Sequence, residues 1–148
     1  MKKIILALCA LLFSVVAFSQ NDNPDSIVGT YEAGVGIDAY KIRIVKLDDG
    51  TYQGAVCWLA DPLDANGKVK VDTKNPNKAL RGTPMDKVVI FSGLKYDAAK
   101  QQWSDAKIYD PDRGISVKMT ARFENATKLV VRGTVLGIGE KVAWNKVN

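Results

Sequence analysis

Hydrophobicity alternates with a period of two along most of this chain, and that period leaves room for little except antiparallel sheet. The clearest run is Ile115 to Phe123, where Ile115, Val117, Met119, Ala121 and Phe123 alternate with Ser116, Lys118, Thr120 and Arg122. In a pleated strand the two sets occupy opposite faces, so one is buried and the other wet. Tyr40, Ile42 and Ile44 alternate with Lys41 and Arg43, and Leu129, Val131 and Val135 with Arg132 and Thr134. Further strand runs are Ile27 to Glu32, Thr51 to Leu59, Val88 to Leu94, Trp103 to Tyr109 and Lys141 to Val147. From residue 20 onward there are fourteen valines and eight isoleucines against seven leucines, and thirteen aspartates against three glutamates. Such a mixture favours strands and turns over helices.

The punctuation agrees. Asp48-Asp49-Gly50, Asp97 to Gln102, Asp110 to Gly114 and Glu124 to Thr127 read as hairpin turns, with Gly34 to Asp38 and Gly137 to Gly139 as looser connections. About eight antiparallel strands joined by short hairpins, with no crossover helix, close most naturally into an all-β, up-and-down β-barrel, which removes exposed sheet edges. A two-sheet β-sandwich is the second architecture considered. One connection breaks the rhythm: residues 60–86 run through Pro62, Pro76 and Pro84. Loops of that length in compact domains are usually functional or disordered. Within it, Gly67 to Val71 could form a short edge strand and Lys78 to Arg81 a single helical turn.

Residues 1–19 are set apart from this pattern. A basic start at Lys2-Lys3, an apolar run from Ile4 to Val16 and the small-x-small box Ala17-Phe18-Ser19 read as a secretory signal peptide. Its removal leaves a single domain, 20–148, with 129 of the 148 residues, and lowers the net charge from +5 to +3 because Lys2 and Lys3 go with it. The expectation is an exported, periplasmic or secreted monomer with no transmembrane segment after cleavage. Cys9 does not read as a lipidation site, because Leu8 stands where a small residue is needed.

Composition removes much chemistry. There is no histidine, which excludes Ser-His-Asp and Cys-His nucleophile systems and histidine pH switches. Cys57 alone cannot build a structural zinc site or an internal disulfide, and no cofactor or metal is expected. The lysines are dispersed, so no nucleic acid partner is implied.

Few residues are left as candidates. Asp64-Ala65-Asn66-Gly67 resembles part of a calcium loop, but Pro62 and Thr73 occupy ligand positions, and a turn is the simpler reading. Asp110 and Asp112 could act as paired carboxylates, yet Pro111 and Gly114 mark turn chemistry. Gly133-x-x-x-Gly137-x-Gly139 has the wrong order for a dinucleotide cradle. Tyr31, Trp58, Trp103 and Trp144 could line a cavity, though core packing is commoner. Lys41, Arg43, Lys118, Arg122 and Arg132 lie on polar strand faces, read as solvated surface or, more sharply, as an anion patch. The constellation that joins the long loop to later strands is Asp72, Asn75, Arg81, Tyr109 and Asp110. Its members either pin the loop, with the Arg81 guanidinium among Asp and Asn, or bind a ligand.

The loop motifs carry a family resemblance. Gly29-Thr30-Tyr31, Asp61-Pro62 with Asn66-Gly67-Lys68, Asp72-x-x-Asn75-Pro76, Leu80-Arg81-x-x-Pro84, Gly93-Leu94, Ile108-Tyr109-Asp110-Pro111 with Gly114, Arg132-Gly133 and Trp144-x-Lys146 follow one another in order. This resembles the small exported bacterial proteins of domain-of-unknown-function family 2147. The resemblance implies a calycin-like, lipocalin-type barrel in the cell envelope and no established activity. It also implies that Tyr31, Trp144 and Lys146 pack at one barrel end, although the family usually has tryptophan at the first position and arginine at the last.

The functional expectation is a non-catalytic binder of a small amphiphilic or hydrophobic ligand. The alternative is a structural or protein-interaction protein with a solidly packed barrel. A carboxylate-based enzyme ranks third.

Overall fold

A computed structural model describes residues 20–135 and 138–148. Residues 1–19, which include Cys9 and were read from the sequence as a signal peptide, lie outside the described residues, as do Leu136 and Gly137. Eight strands follow in chain order: β1 Gly29–Ala33, β2 Tyr40–Lys46, β3 Tyr52–Leu59, β4 Val89–Asp97, β5 Gln102–Asp110, β6 Ile115–Phe123, β7 Lys128–Val135 and β8 Ile138–Lys146. Each pairs antiparallel with the next, and β8 returns to β1 through Tyr31↔Lys146 and Glu32↔Asn145, so the sheet is a closed barrel. The β-sandwich is thereby set aside. The hairpins form where aspartate and asparagine side chains accept from the backbone of their own turns. Asp49 caps Thr51, Asp97 caps Lys100, Asp110 caps Asp112, and Asn125 caps Thr127.

The interior is filled unevenly. Along β6 exposure falls from 39% at Ile115 to 4% at Phe123, so the inward row begins at an open mouth and ends in a packed core. That packed end holds Tyr31, Tyr52, Leu94, Trp103, Phe123 and Leu129, all essentially inaccessible. It is corked by residues 20–27, which form two 3-10 turns instead of the start of a strand. The Asn21 side chain donates to the Phe123 carbonyl (2.9 Å) and accepts from the Phe123 N–H (2.8 Å). Trp103 Nε1 donates to the Pro24 carbonyl, the Tyr31 hydroxyl to Ile27, and Lys146 Nζ to Ser26. Ile27, read from the sequence as a strand residue, is instead the fully buried tip of this cork.

Two bulges turn side chains against the simple alternation. On β5 the register shifts between Trp103 and Ala106, and Asp105 takes a positive φ of 69°. Trp103 and Ile108 therefore both face inward, and Lys107 faces out. On β3 the register against β2 shifts near Cys57, which puts Trp58 outside beneath Lys41 (5.2 Å to the ring). Trp58 therefore lines no cavity. The long loop has no edge strand; residues 67–71 make only the isolated bridges Leu63↔Val69 and Val71↔Pro84. Lys78–Leu80 and Met85–Lys87 are single 3-10 turns.

Candidate functional site

Opposite the cork the barrel is open. A cavity of about 860 Å³ enters between the β1–β2 connection, the long loop and the β5–β6 turn. Its apolar walls come from the inward rows of several strands: Val56, Ile90, Ile108, Val117, Val131 and Val142. The alternation that makes each strand also delivers these side chains to the lumen. Gly133 keeps the wall thin on β7, since a Cβ there would meet Val117 Cγ2 at 2.8 Å. Trp144 forms the floor, stacked on Phe91 with ring centroids 6.4 Å apart and an interplanar angle of 15°. Its indole Nε1 is buried and makes no hydrogen bond among the described residues. The Tyr40 hydroxyl lies close enough to that N–H to be influenced by it, although the pair does not meet the geometry of a hydrogen bond. Burial pushes the Tyr40 phenol up, the indole N–H opposes this, and the carboxylates of Asp110 and Asp112 reinforce it.

The rim is polar. Arg113 bridges Asp110 (2.6 Å) and Glu140 (3.3 Å), and Lys70 pairs with Asp61 (3.1 Å). The contacts with Asp110 and Glu140 raise the Arg113 pKa, so the guanidinium is held as a fixed cation between them. Asp38 and Asp112 also stand on the rim. On the β1–β2 connection Ile37 is 76% exposed and borders the opening.

The residues singled out in the long loop come together, but not as the sequence suggested. Asp72 is 1% exposed, and its carboxylate accepts from the Tyr109 hydroxyl (2.8 Å) and from Asn75 Nδ2 (2.8 Å). Its backbone N–H donates to Thr83, and its carbonyl accepts from Asn75. Burial, then the hydrogen bond to Asp72, pushes the Tyr109 phenol up to about 12. Arg81 makes no direct contact with Asp72. Its Nε donates to the Asn75 carbonyl (2.7 Å), and the side chain stays exposed. The group ties the loop to β5. Tyr109 and Asp110 also border the cavity, whereas Asp72, Asn75 and Arg81 do not line it.

Tyr31, Trp144 and Lys146 gather as the resemblance implies. Tyr31 and Trp144 rings lie 6.5 Å apart, and Lys146 Nζ sits 6.0 Å from the Tyr31 ring and 5.9 Å from that of Phe123. Burial lowers the Lys146 pKa. Tyr31 and Lys146 belong to the corked end, and Trp144 separates that end from the cavity. Asp64 accepts from the N–H groups of Asn66 and Lys68, a turn as read. No cluster of three or more metal-ligating side chains occurs among the described residues.

Sequence reasoning passed over Tyr40, Arg113 and the cork. Tyr40 was available from its inward position in the Tyr40–Ile42–Ile44 row. Arg113 pairs with Asp110 within its own turn, but its second partner, Glu140, lies 27 positions away and left no local signal.

Comparison with known proteins matches residues 29–146 to a family described as uncharacterized protein conserved in bacteria (DUF2147). Comparison with curated proteins gives no match. Among solved structures, the chain is similar to protein HP1028 from Helicobacter pylori, described as belonging to the lipocalin family. The TM-score is 0.64, the identity 21%, and the likeness covers 82% of each chain. That likeness shows the fold, an eight-stranded lipocalin-like barrel.

Proposed function

The chain belongs to the DUF2147 family of bacterial proteins, and we propose that it is an exported, non-catalytic carrier that holds one small apolar or amphiphilic molecule in the open half of its barrel. One observation carries this reading: a cavity of about 860 Å³ with apolar walls and a charged rim. Ligand sites generally span roughly 300–1,000 Å³ and combine apolar walls with a few placed polar groups. Eight-stranded barrels have an interior wide enough for one such ligand. A barrel packed solid from end to end, the competing expectation, would leave no such volume.

Two of the carboxylates that acid–base chemistry could draw on, Asp72 and Asp110, have other occupations. Asp72 is held by Tyr109 and Asn75, and Asp110 by its own turn and Arg113. This favours binding over catalysis. Among the described residues no helix is long and apolar enough to cross a membrane.

Native mass spectrometry of the protein purified from its source without detergent tests the proposal. The expected result is a small-molecule adduct that disappears on unfolding. If nothing co-purifies, and tryptophan fluorescence ignores a panel of uncharged and amphiphilic compounds, the proposal is overturned.

A further inference from the structure

The Trp144 indole Nε1 is the one buried side-chain nitrogen or oxygen with no hydrogen-bond partner among the described residues. Trp144 is 1% exposed and lines the cavity as its floor. The other two tryptophans differ. Trp103 Nε1 donates to the Pro24 carbonyl, and Trp58 stands exposed on the outer surface. A buried donor without an acceptor has given up its hydration for nothing, so native proteins rarely keep one without a use.

The barrel sets a second donor beside it. Tyr31 pairs with Lys146 and Glu32 with Asn145, so one step further along this ladder Ala33 falls level with Trp144. On its other side Ala33 pairs with Tyr40. The row across β2, β1 and β8 is therefore Tyr40, Ala33, Trp144, and the small central residue lets the two large side chains approach over it. Both line the cavity, and the Tyr40 hydroxyl lies near the indole N–H. The other phenol that borders the cavity, Tyr109, is committed to Asp72.

We propose that Trp144 Nε1 and the Tyr40 hydroxyl form an acceptor-binding subsite at the cavity floor, which takes an uncharged carbonyl oxygen at the buried end of an apolar ligand. This rests on the reading of the barrel as a carrier and gives its ligand a chemical class. Two donors set side by side suit the two lone pairs of one carbonyl oxygen. Charge selects a neutral acceptor over a carboxylate. The Asp110 and Asp112 carboxylates oppose a negative charge on the Tyr40 oxygen, and a ligand carboxylate held there meets the same repulsion. The cations around the mouth do not offset it. Lys70 and Arg113 are held in ion pairs, and Lys141 alternates with the inward Val142, so it faces outward.

Three naphthalenes of nearly one shape test this: 2-acetylnaphthalene, 2-isopropenylnaphthalene, in which a methylene group replaces the oxygen, and the anion 2-naphthoate. Equilibrium dialysis at pH 7 against the folded protein measures each. The ketone should bind about tenfold more tightly than the hydrocarbon, the effect of one well-made buried hydrogen bond. It should also bind more tightly than the anion. The Trp144 indole proton resonance, identified by its loss in Trp144→Phe, should move downfield with the ketone and stay in place with the hydrocarbon. Tyr40→Phe keeps the ring, leaves the floor intact and should narrow the ketone's advantage. The subsite is overturned, with the carrier reading left standing, if the hydrocarbon binds as tightly as the ketone, if the anion binds most tightly, or if the indole proton does not respond. Failure of all three to bind also overturns it, and a parallel titration with the uncharged fluorophore N-phenyl-1-naphthylamine then shows whether the carrier reading falls too.

Discussion

Phe91 stacks on Trp144 at 6.4 Å and 15°, and the two rings divide the barrel into a packed half and an open half. The stack depends on residue 54 being glycine. A Cβ there would lie 2.3 Å from Phe91 Cε1 and 2.5 Å from Cζ. Phe91 is 3% exposed, so its ring cannot move aside without displacing the floor. Gly54→Ala should therefore destabilise the protein by about 1–3 kcal/mol, the usual cost of overpacking. Chemical denaturation measures it, and a neutral result would mean that the floor is soft.

Tyr109→Phe removes one of the two side-chain donors to a carboxylate that is almost inaccessible. Leaving a buried acceptor short of a partner costs about 1–3 kcal/mol. Amide hydrogen exchange should speed up across residues 60–88 and stay unchanged in β6 and β7. If exchange in the loop is unaffected, the Tyr109–Asp72 contact does not hold it down.

Tyr31→Phe deletes the hydroxyl that donates to the Ile27 carbonyl in the cork. The loss should be about 0.5–1.5 kcal/mol, that of one hydrogen bond. Ligand affinity should not change, because Tyr31 lies on the far side of Trp144 from the cavity. A variant that folds stably yet loses affinity would show that the two halves are coupled.

Alkaline titration should report the tyrosines directly. Burial, the largest cause in each case, raises the phenols of Tyr31, Tyr40, Tyr52 and Tyr109, four of the five tyrosines. At pH 10 these four should be less ionised in the folded protein than free phenols, and absorbance at 295 nm should rise on adding denaturant. A phenol whose folded pKa lies above its unfolded value contributes stability that is fully present below about pH 10. For Tyr109 that contribution is lost as the pH rises from about 10 to about 12, because the unfolded chain releases its proton first. Half-ionisation of all five tyrosines at pH 10 in the folded protein, as free phenols would show, would contradict the packing described.

The sequence made the barrel legible because alternation and turn chemistry are local. β6 has the bounds its pattern gives, Ile115 to Phe123, and the aspartate turns stand where expected. Bulges were not legible. A single positive φ at Asp105 reverses the faces of β5 and makes Lys107 a neighbour of Lys118. A similar shift at Cys57 sends Trp58 outside. The cork was missed because Ile27 looks like the start of a strand, and only the three-dimensional end of the barrel explains its burial. The loop cluster was half legible. Asp72, Asn75 and Tyr109 do meet, but Arg81 reaches only a backbone carbonyl, since the buried carboxylate is already satisfied by uncharged donors.

The cavity itself is tested most directly by filling it. N-phenyl-1-naphthylamine, an uncharged apolar fluorophore, should bind the unmodified protein saturably at one per chain, with enhanced emission. Val117→Trp places an indole into the lumen from the wall and should abolish that binding while the protein still melts cooperatively. Absence of saturable binding by the folded protein, or binding undiminished in a folded Val117→Trp variant, would contradict the account.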